Sequence, residues 1–270
     1  MKKNIIIIPV YKSSPDETEK MSLRQCVKIL GRHELCLLCP RELDVTAYTE
    51  LVGHQFRTER FDEFFFKGIS GYNELLKSKD FYERFEAYEY ILIYQLDAWV
   101  FEDSLDYWCS KGYDYIGAPW FKGWLSHEEG SDFLCVGNGG FSLRKVNKFL
   151  QITDPSQRLR SFWQILKCGK FREILKMCNH NSDFNSLGAY MIQKKDRWED
   201  VFFCYDLKGT RLELNTPDCY EASLFSIETS PEYIFKNINK SRLPFGCHAW
   251  KRYHYEDFWS KFIYESELKD

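Results

Sequence analysis

The sequence predicts a single α/β domain, a twisted, mixed but mostly parallel sheet flanked by helices, and three observations carry that reading. Residues 4–10 (Asn-Ile-Ile-Ile-Ile-Pro-Val), Leu35–Cys39 and Tyr90–Tyr94 are short apolar runs of the kind buried on both faces of a parallel sheet. Helical patterns separate these runs over the first hundred residues. A chain of 270 residues, 44% of them hydrophobic, buries about three quarters of its unfolded surface, and no repeat, low-complexity tract or Pro/Ser-rich linker divides it.

In order along the chain, the first strand ends at Pro9, and Ser13-Ser14-Pro15-Asp16 make a turn. From Glu19 the apolar positions Leu23, Cys26, Val27 and Leu30 recur at three and four, and Gly31 closes a helix. The strand Leu35–Cys39 follows, then a helix over Arg41–Val52, a short strand over Phe56–Phe61, and a helix opening at Ser70 with Leu75, Leu76, Phe81, Tyr82 and Phe85 on its apolar face. Gly117-Ala118-Pro119-Trp120 and Val136–Phe141 read as loops lining a cleft, followed by short strands. Residues 157–180 read as basic, amphipathic surface helices, and Trp198–Tyr205 begins another helix.

The charge of −3 offers no broad positive field, which disfavours nucleic acid as a partner. The longest early apolar run is far short of the ~20 residues that cross a bilayer, so no transmembrane segment or signal peptide is expected. Ten cysteines, mostly inside apolar runs, fit reduced core thiols of a cytoplasmic protein. The 22 Phe, 17 Tyr and 8 Trp exceed what packing asks for and suit flat sugar or nucleotide sites.

A parallel sheet binds ligands beyond the carboxyl ends of its strands, here Pro9-Val10-Tyr11-Lys12 and Gln95-Leu96-Asp97. Gln95 and Asp97, two apart, point to one side, and a carboxylate there either meets a divalent cation or caps a turn. His248, on the apolar stretch Pro244–Trp250, is either a ligand or a hydrogen-bonded core residue. Glu199-Asp200 heads an apolar helix, where an acidic pair either serves the helix dipole or supplies a general base. Other motifs fail: Ser142 replaces the third glycine of a dinucleotide loop at Gly137, Tyr72 replaces the second glycine of a nucleophile elbow at Gly68, and Cys36-x-x-Cys39 lacks a second ligand pair.

Together, Tyr90-Ile-Leu-Ile-Tyr-Gln-Leu-Asp-Ala-Trp-Val-Phe101, Tyr113-Asp-Tyr-Ile-Gly-Ala-Pro-Trp120 and Gly137-Asn-Gly-Gly-Phe-Ser-Leu-Arg144 resemble a largely uncharacterised family of glycosyltransferases with the GT-A fold. The likeness extends to Glu19 with Ser22-Leu23, Gly71-Tyr72-Asn73, Trp198-Glu199-Asp200-Val201 and the closing Pro244–Trp250 block. It implies a nucleotide-sugar donor and a glycan or lipid-linked saccharide acceptor, with residues 1–101 as the nucleotide-binding half and 102–270 as the acceptor side. Pro9, Val10, Tyr11, Lys12, Tyr72, Asn73 and Gln95 then face the nucleotide, and Trp120, Asn138, Gly139, Gly140 and Trp198 face donor sugar and acceptor.

The resemblance also implies Mn²⁺ or Mg²⁺ at Asp97 and His248, although Gln95 stands where the usual Asp-x-Asp motif has its first acid. Asp200 resembles the base of inverting enzymes of this fold, with Glu199 as fallback. A glycoside hydrolase using two of these acids, or a non-catalytic glycan-binding module, are the rival readings. A cytoplasmic place follows, with peripheral contact at the inner face of a membrane left open.

Overall fold

The computed structural model describes residues 2–161 and 185–267, so the helices expected over 157–180 fall almost wholly outside the described residues. Strand β1 (Lys2–Pro9) pairs in parallel with β2 (Leu35–Pro40) on one side and with β4 (Tyr88–Tyr94) on the other. β3 (Arg57–Phe61) extends the parallel run beyond β2. β9 (Phe141–Lys145) lies antiparallel to β4, and β6 (Tyr115–Ile116) antiparallel to β9, giving the order β3-β2-β1-β4-β9-β6. This is the mixed, mostly parallel α/β sheet that the sequence predicts.

Ile5 and Ile7 of β1 join one core while Ile6 and Ile8 join the other, and Ile91/Ile93 and Leu92/Tyr94 of β4 divide the same way. Both sheet faces are therefore covered, which is why these runs are continuously apolar instead of alternating. Strand order reverses between β1 and β4, and the cleft opens at their carboxyl ends.

Helix α1 (Glu17–Leu30) starts at a capping box: Asp16 accepts the Glu19 amide at 3.0 Å, and Glu19 accepts the Asp16 amide at 2.8 Å. On its buried side Ser22 and Gln25 donate to the Ala98 and Val100 carbonyls, each at 2.7 Å, so α1 anchors the chain just past the Gln95–Asp97 turn. The helix expected over Arg41–Val52 forms only as α2 (Thr46–Val52), because Asp44 takes the Thr46 amide and hydroxyl in a local turn that delays its start. The helix expected from Ser70 begins at Gly68 and breaks at Ser78 into α3 (Gly68–Lys77) and α4 (Lys79–Glu83). Ser78 is extended there and its hydroxyl serves both ends, donating to Leu75 and accepting from Phe81.

Two regions depart from the sequence expectation. Pro119–Phe121 is not loop but strand β7, paired antiparallel with β8 (Phe133–Val136) around an irregularity between Trp120 and Phe121. Past Trp198 a single α-helical turn, Glu199–Val201, runs into π-helical Phe202–Asp206. A small sheet joins β5 (Trp99–Val100) to β11 (Gly246–Cys247) and β11 to β10 (Ser226–Ile227). Eight cysteines among the described residues are free thiols, seven of them buried. No helix among the described residues is long and apolar enough to cross a membrane.

Candidate active site

The small sheet assembles one wall of the cleft. Ile227 is registered with Cys247, and Cys247 with Trp99, so the next residues, Glu228 and His248, emerge side by side close to Asp97. His248 Nε2 stands 3.1 Å from Asp97 Oδ1 and 3.3 Å from Gln95 Oε1, while Nδ1 stands 3.0 Å from Glu228 Oε1. Burial pushes the imidazole down, but Asp97 and Glu228 outweigh it and raise its pKa to about 10, so the ring is a cation held between two carboxylates. Burial likewise pushes the Asp97 carboxyl up, and the His248 cation outweighs this and holds it below its ordinary value. The Asn138 amide nitrogen lies 3.0 Å from His248 Nδ1, and its carbonyl accepts the Phe141 amide at 3.3 Å.

Asp200 forms the facing wall. Its Oδ2 accepts the Gly139 amide at 3.0 Å and its Oδ1 the Val201 amide at 2.8 Å. Burial, and then the charge of Glu199, push its carboxyl up to about 7 against these two donors. Glu199 is different. It is buried and doubly paired with the fully buried Arg144, at 2.8 and 3.1 Å, so both of its oxygens are engaged. Its place as fallback base is corrected accordingly: it is the counter-ion of Arg144. Arg144 also donates to Tyr82, Ser142 and the Gly139 carbonyl.

Helix α3 holds this acidic segment from behind. Asn73 accepts the Glu199 amide at 2.7 Å and donates to Ile69 at 2.8 Å, and buried Lys77 donates to the Lys195 and Arg197 carbonyls at 2.7 and 3.0 Å. Asn73 thus positions Glu199 from the wall of the cleft in which its nucleotide contact is expected. The glycine loop has a second reason for its composition. A Cβ on Gly139 would collide with the Glu199 carboxylate, and one on Gly140 with the His248 ring. Packing of the protein's own site residues, as well as ligand approach, demands glycine there.

One cavity of about 990 Å³ is lined by Pro9, Tyr11, Tyr72, Asn73, Gln95 and Asp97, together with Trp120, Asn138, Gly139, Gly140, Trp198, Glu199, Asp200 and His248. Two expected residues do not join it. Val10 is buried in the core and its amide continues the ladder by donating to Leu38, because the strand pairing runs one residue past Pro9. The Lys12 ammonium is taken by Asp16 and Glu19 at 3.0 and 2.9 Å, within the α1 cap. Sequence reasoning missed Glu228, Lys251 and Arg252, all of which line the cavity. Lys251 and Arg252 follow the quoted Pro244–Trp250 block directly, which was the available signal. Nothing local marks Glu228.

A divalent cation meets a partial donor set. No group of three His, Cys, Asp or Glu among the described residues is placed to hold a metal ion. Asp97, His248 Nε2 and Gln95 Oε1 nevertheless converge, and Glu228 sits on the other ring nitrogen, as the orienting partner of a metal-bound imidazole does. The donors present fit a cation that completes its shell with ligand oxygens.

The family described as Protein of unknown function (DUF5672) matches residues 55–248 of the chain. No curated protein matches it. Among solved structures, the galactosyltransferase LgtC in complex with donor and acceptor sugar analogs is 11% identical, with 90% of this chain and 86% of that chain covered and a TM-score of 0.52. Core-mannan synthase A (CmsA/Ktr4) from Aspergillus fumigatus, in its Mn/GDP form, is 10% identical over 55% of this chain and 61% of that one, at a TM-score of 0.40. The apo-form glycosyltransferase GlyE of Streptococcus pneumoniae TIGR4 is 10% identical over 99% of this chain and 64% of that one, at 0.41. The match thus spans less than two thirds of the latter two proteins. The fold is that of the GT-A glycosyltransferases.

Proposed function

Because the chain belongs to this DUF5672 family and has a GT-A fold, we propose that it is a glycosyltransferase that moves a sugar from a nucleotide-sugar donor to a glycan or lipid-linked saccharide acceptor. One observation carries the reading: a single cleft at the carboxyl ends of β1 and β4 pairs Asp97 with His248 and also holds Asp200, whose pKa is near 7. Tyr11, 59% exposed beside Pro9, offers its ring to the nucleoside, with Tyr72 and Gln95 nearby in the cleft wall. Lys251 and Arg252 supply positive charge for a diphosphate.

Asp97, His248 Nε2 and Gln95 would hold a Mn²⁺ or Mg²⁺ ion. Such an ion, when bound, neutralises charge on the departing nucleoside diphosphate. Asp200 removes the proton of the attacking acceptor hydroxyl while the Gly139 and Val201 amides keep its carboxylate aimed. A base near neutrality combines a large ionised fraction with the strongest available proton affinity. A single base of this kind serves inversion by direct displacement. A hydrolase pairing Asp200 with Glu199 is disfavoured, since Arg144 occupies both oxygens of Glu199.

The test is a thermal-shift panel of nucleoside diphosphates and nucleotide sugars with and without Mn²⁺, followed by turnover of whichever donor stabilises the protein. Asp200→Asn should keep donor binding and lower transfer by about 10²–10⁴-fold. Absence of any metal-sensitive nucleotide stabilisation overturns the assignment.

A further inference from the structure

Among the described residues four tryptophans are hidden and two stand largely exposed. Trp99, Trp108, Trp250 and Trp259 are at most 4% exposed, whereas Trp124 and Trp198 are 37% and 55% exposed, and both line the cleft. Tyr205, 43% exposed, stands edge-on to Trp124 with ring centroids 6.4 Å apart. Large aromatic faces left in water forgo hydrophobic burial, so several of them at a cleft mouth point to a ligand.

The cluster is built rigidly. The Trp120 ring is seated on Gly137, where a Cβ would collide with it, and Trp124 leans on Trp120 at 4.8 Å and 36°. Trp124 adopts φ 56, a left-handed backbone that a bulky side chain tolerates only when its surroundings impose it. Those surroundings include His127, bonded to the Trp124 carbonyl and, at 2.8 Å, to Ser230. The rim begins two residues from Asp200, where a hydroxyl that gives up its proton must lie.

We propose that Trp124, Trp198 and Tyr205 form the acceptor subsite, and that it takes a neutral pyranose presenting a flat C–H face to these rings; this rests on the transferase reading. Aromatic faces carry negative potential and attract the polarised C–H bonds on one side of a gluco- or galacto-configured ring, leaving its equatorial hydroxyls at the edge facing Asp200. An anionic acceptor finds no free cation from Arg197, next to Trp198, because it is paired with Asp206 beside Tyr205 at 2.9 and 3.1 Å.

The experiment is saturation-transfer NMR on the full chain with millimolar cellobiose and lactose, and glucose 6-phosphate as the anionic control. Saturation should concentrate on H1, H3 and H5 of one ring face, fall about fivefold or more in Trp124→Ala and Tyr205→Ala, and recover partly in Trp124→Phe. A cooperative melting transition of each unliganded variant close to that of wild type certifies that it is folded. Saturation that is absent, uniform over the ring, stronger for the phosphate, or unchanged in both alanine variants overturns the proposal. Nucleotide stabilisation without disaccharide contact sinks the acceptor subsite and spares the transferase reading. Face-selective contact without nucleotide binding sinks the transferase reading and supports the rim as a sugar site.

Discussion

Replacing Asp200 by Asn offers a test that needs no substrate. In the folded chain the carboxyl is raised from 3.8 to about 7, by burial first and by the charge of Glu199 second. A carboxyl whose pKa is raised on folding contributes stability below its unfolded pKa, and that contribution is lost as pH climbs through the folded value. Wild type should therefore weaken between about pH 4 and 7 relative to a variant without this group. At 1.36 kcal/mol per pH unit the full difference is about 4 kcal/mol, and solvent reaching the partly exposed carboxyl reduces it to about 2–3 kcal/mol. Asp200→Asn keeps the volume and one acceptor for the Gly139 or Val201 amide. It should match wild type within about 1 kcal/mol near pH 4.5 and exceed it by about 2–3 kcal/mol at pH 8.5. Urea unfolding at both pH values, read at constant m, measures this. A difference between the two proteins that does not change with pH refutes the raised carboxyl, and with it the physical basis for Asp200 as a base.

Arg144→Met strands the buried Glu199 charge and should cost about 3–5 kcal/mol in urea unfolding, with most of the loss recovered in the Arg144→Met/Glu199→Met double variant; a single-variant cost under about 1 kcal/mol would contradict the pairing. Asp97→Ala should abolish Mn²⁺-dependent stabilisation by nucleoside diphosphates while leaving the melting temperature of the free protein nearly unchanged, and persistent metal dependence would place the ion elsewhere. Tyr11→Ala should weaken nucleotide binding by about 1–3 kcal/mol in titration calorimetry, whereas Val10→Ala should lower stability by removing core volume; unchanged affinity in Tyr11→Ala moves the nucleoside away from β1. Gly140→Ala should displace His248 and lose the metal effect with Asp97 intact, and a retained effect would show that the loop yields.

Much of the site was readable because local chemistry and strand direction go together. A strand buried on both faces must be continuously apolar, so Ile5–Ile8 and Ile91–Ile93 announced the parallel sheet, and their ends located Pro9, Tyr11, Gln95 and Asp97 in the cleft. Local spacing could not distinguish Asp200 from Glu199, because neighbours on one helical turn face different surroundings: one meets two amides at the cleft and the other a buried guanidinium. The Asn73 amide reads the same in sequence whether it meets a nucleotide or the Glu199 backbone 126 residues away.

By itself, then, the sequence determined the fold class, the early strands and most of the cleft's inventory, because those depend on hydrophobic period and on which residues end a strand. Tertiary structure alone decided the partners. Glu228 reaches His248 only through the register of Ile227 with Cys247, and Arg144 meets Glu199 across 55 residues of chain. Charge and burial at such sites are sums over neighbours distant in sequence, and that sum sets the Asp200 and His248 protonation states.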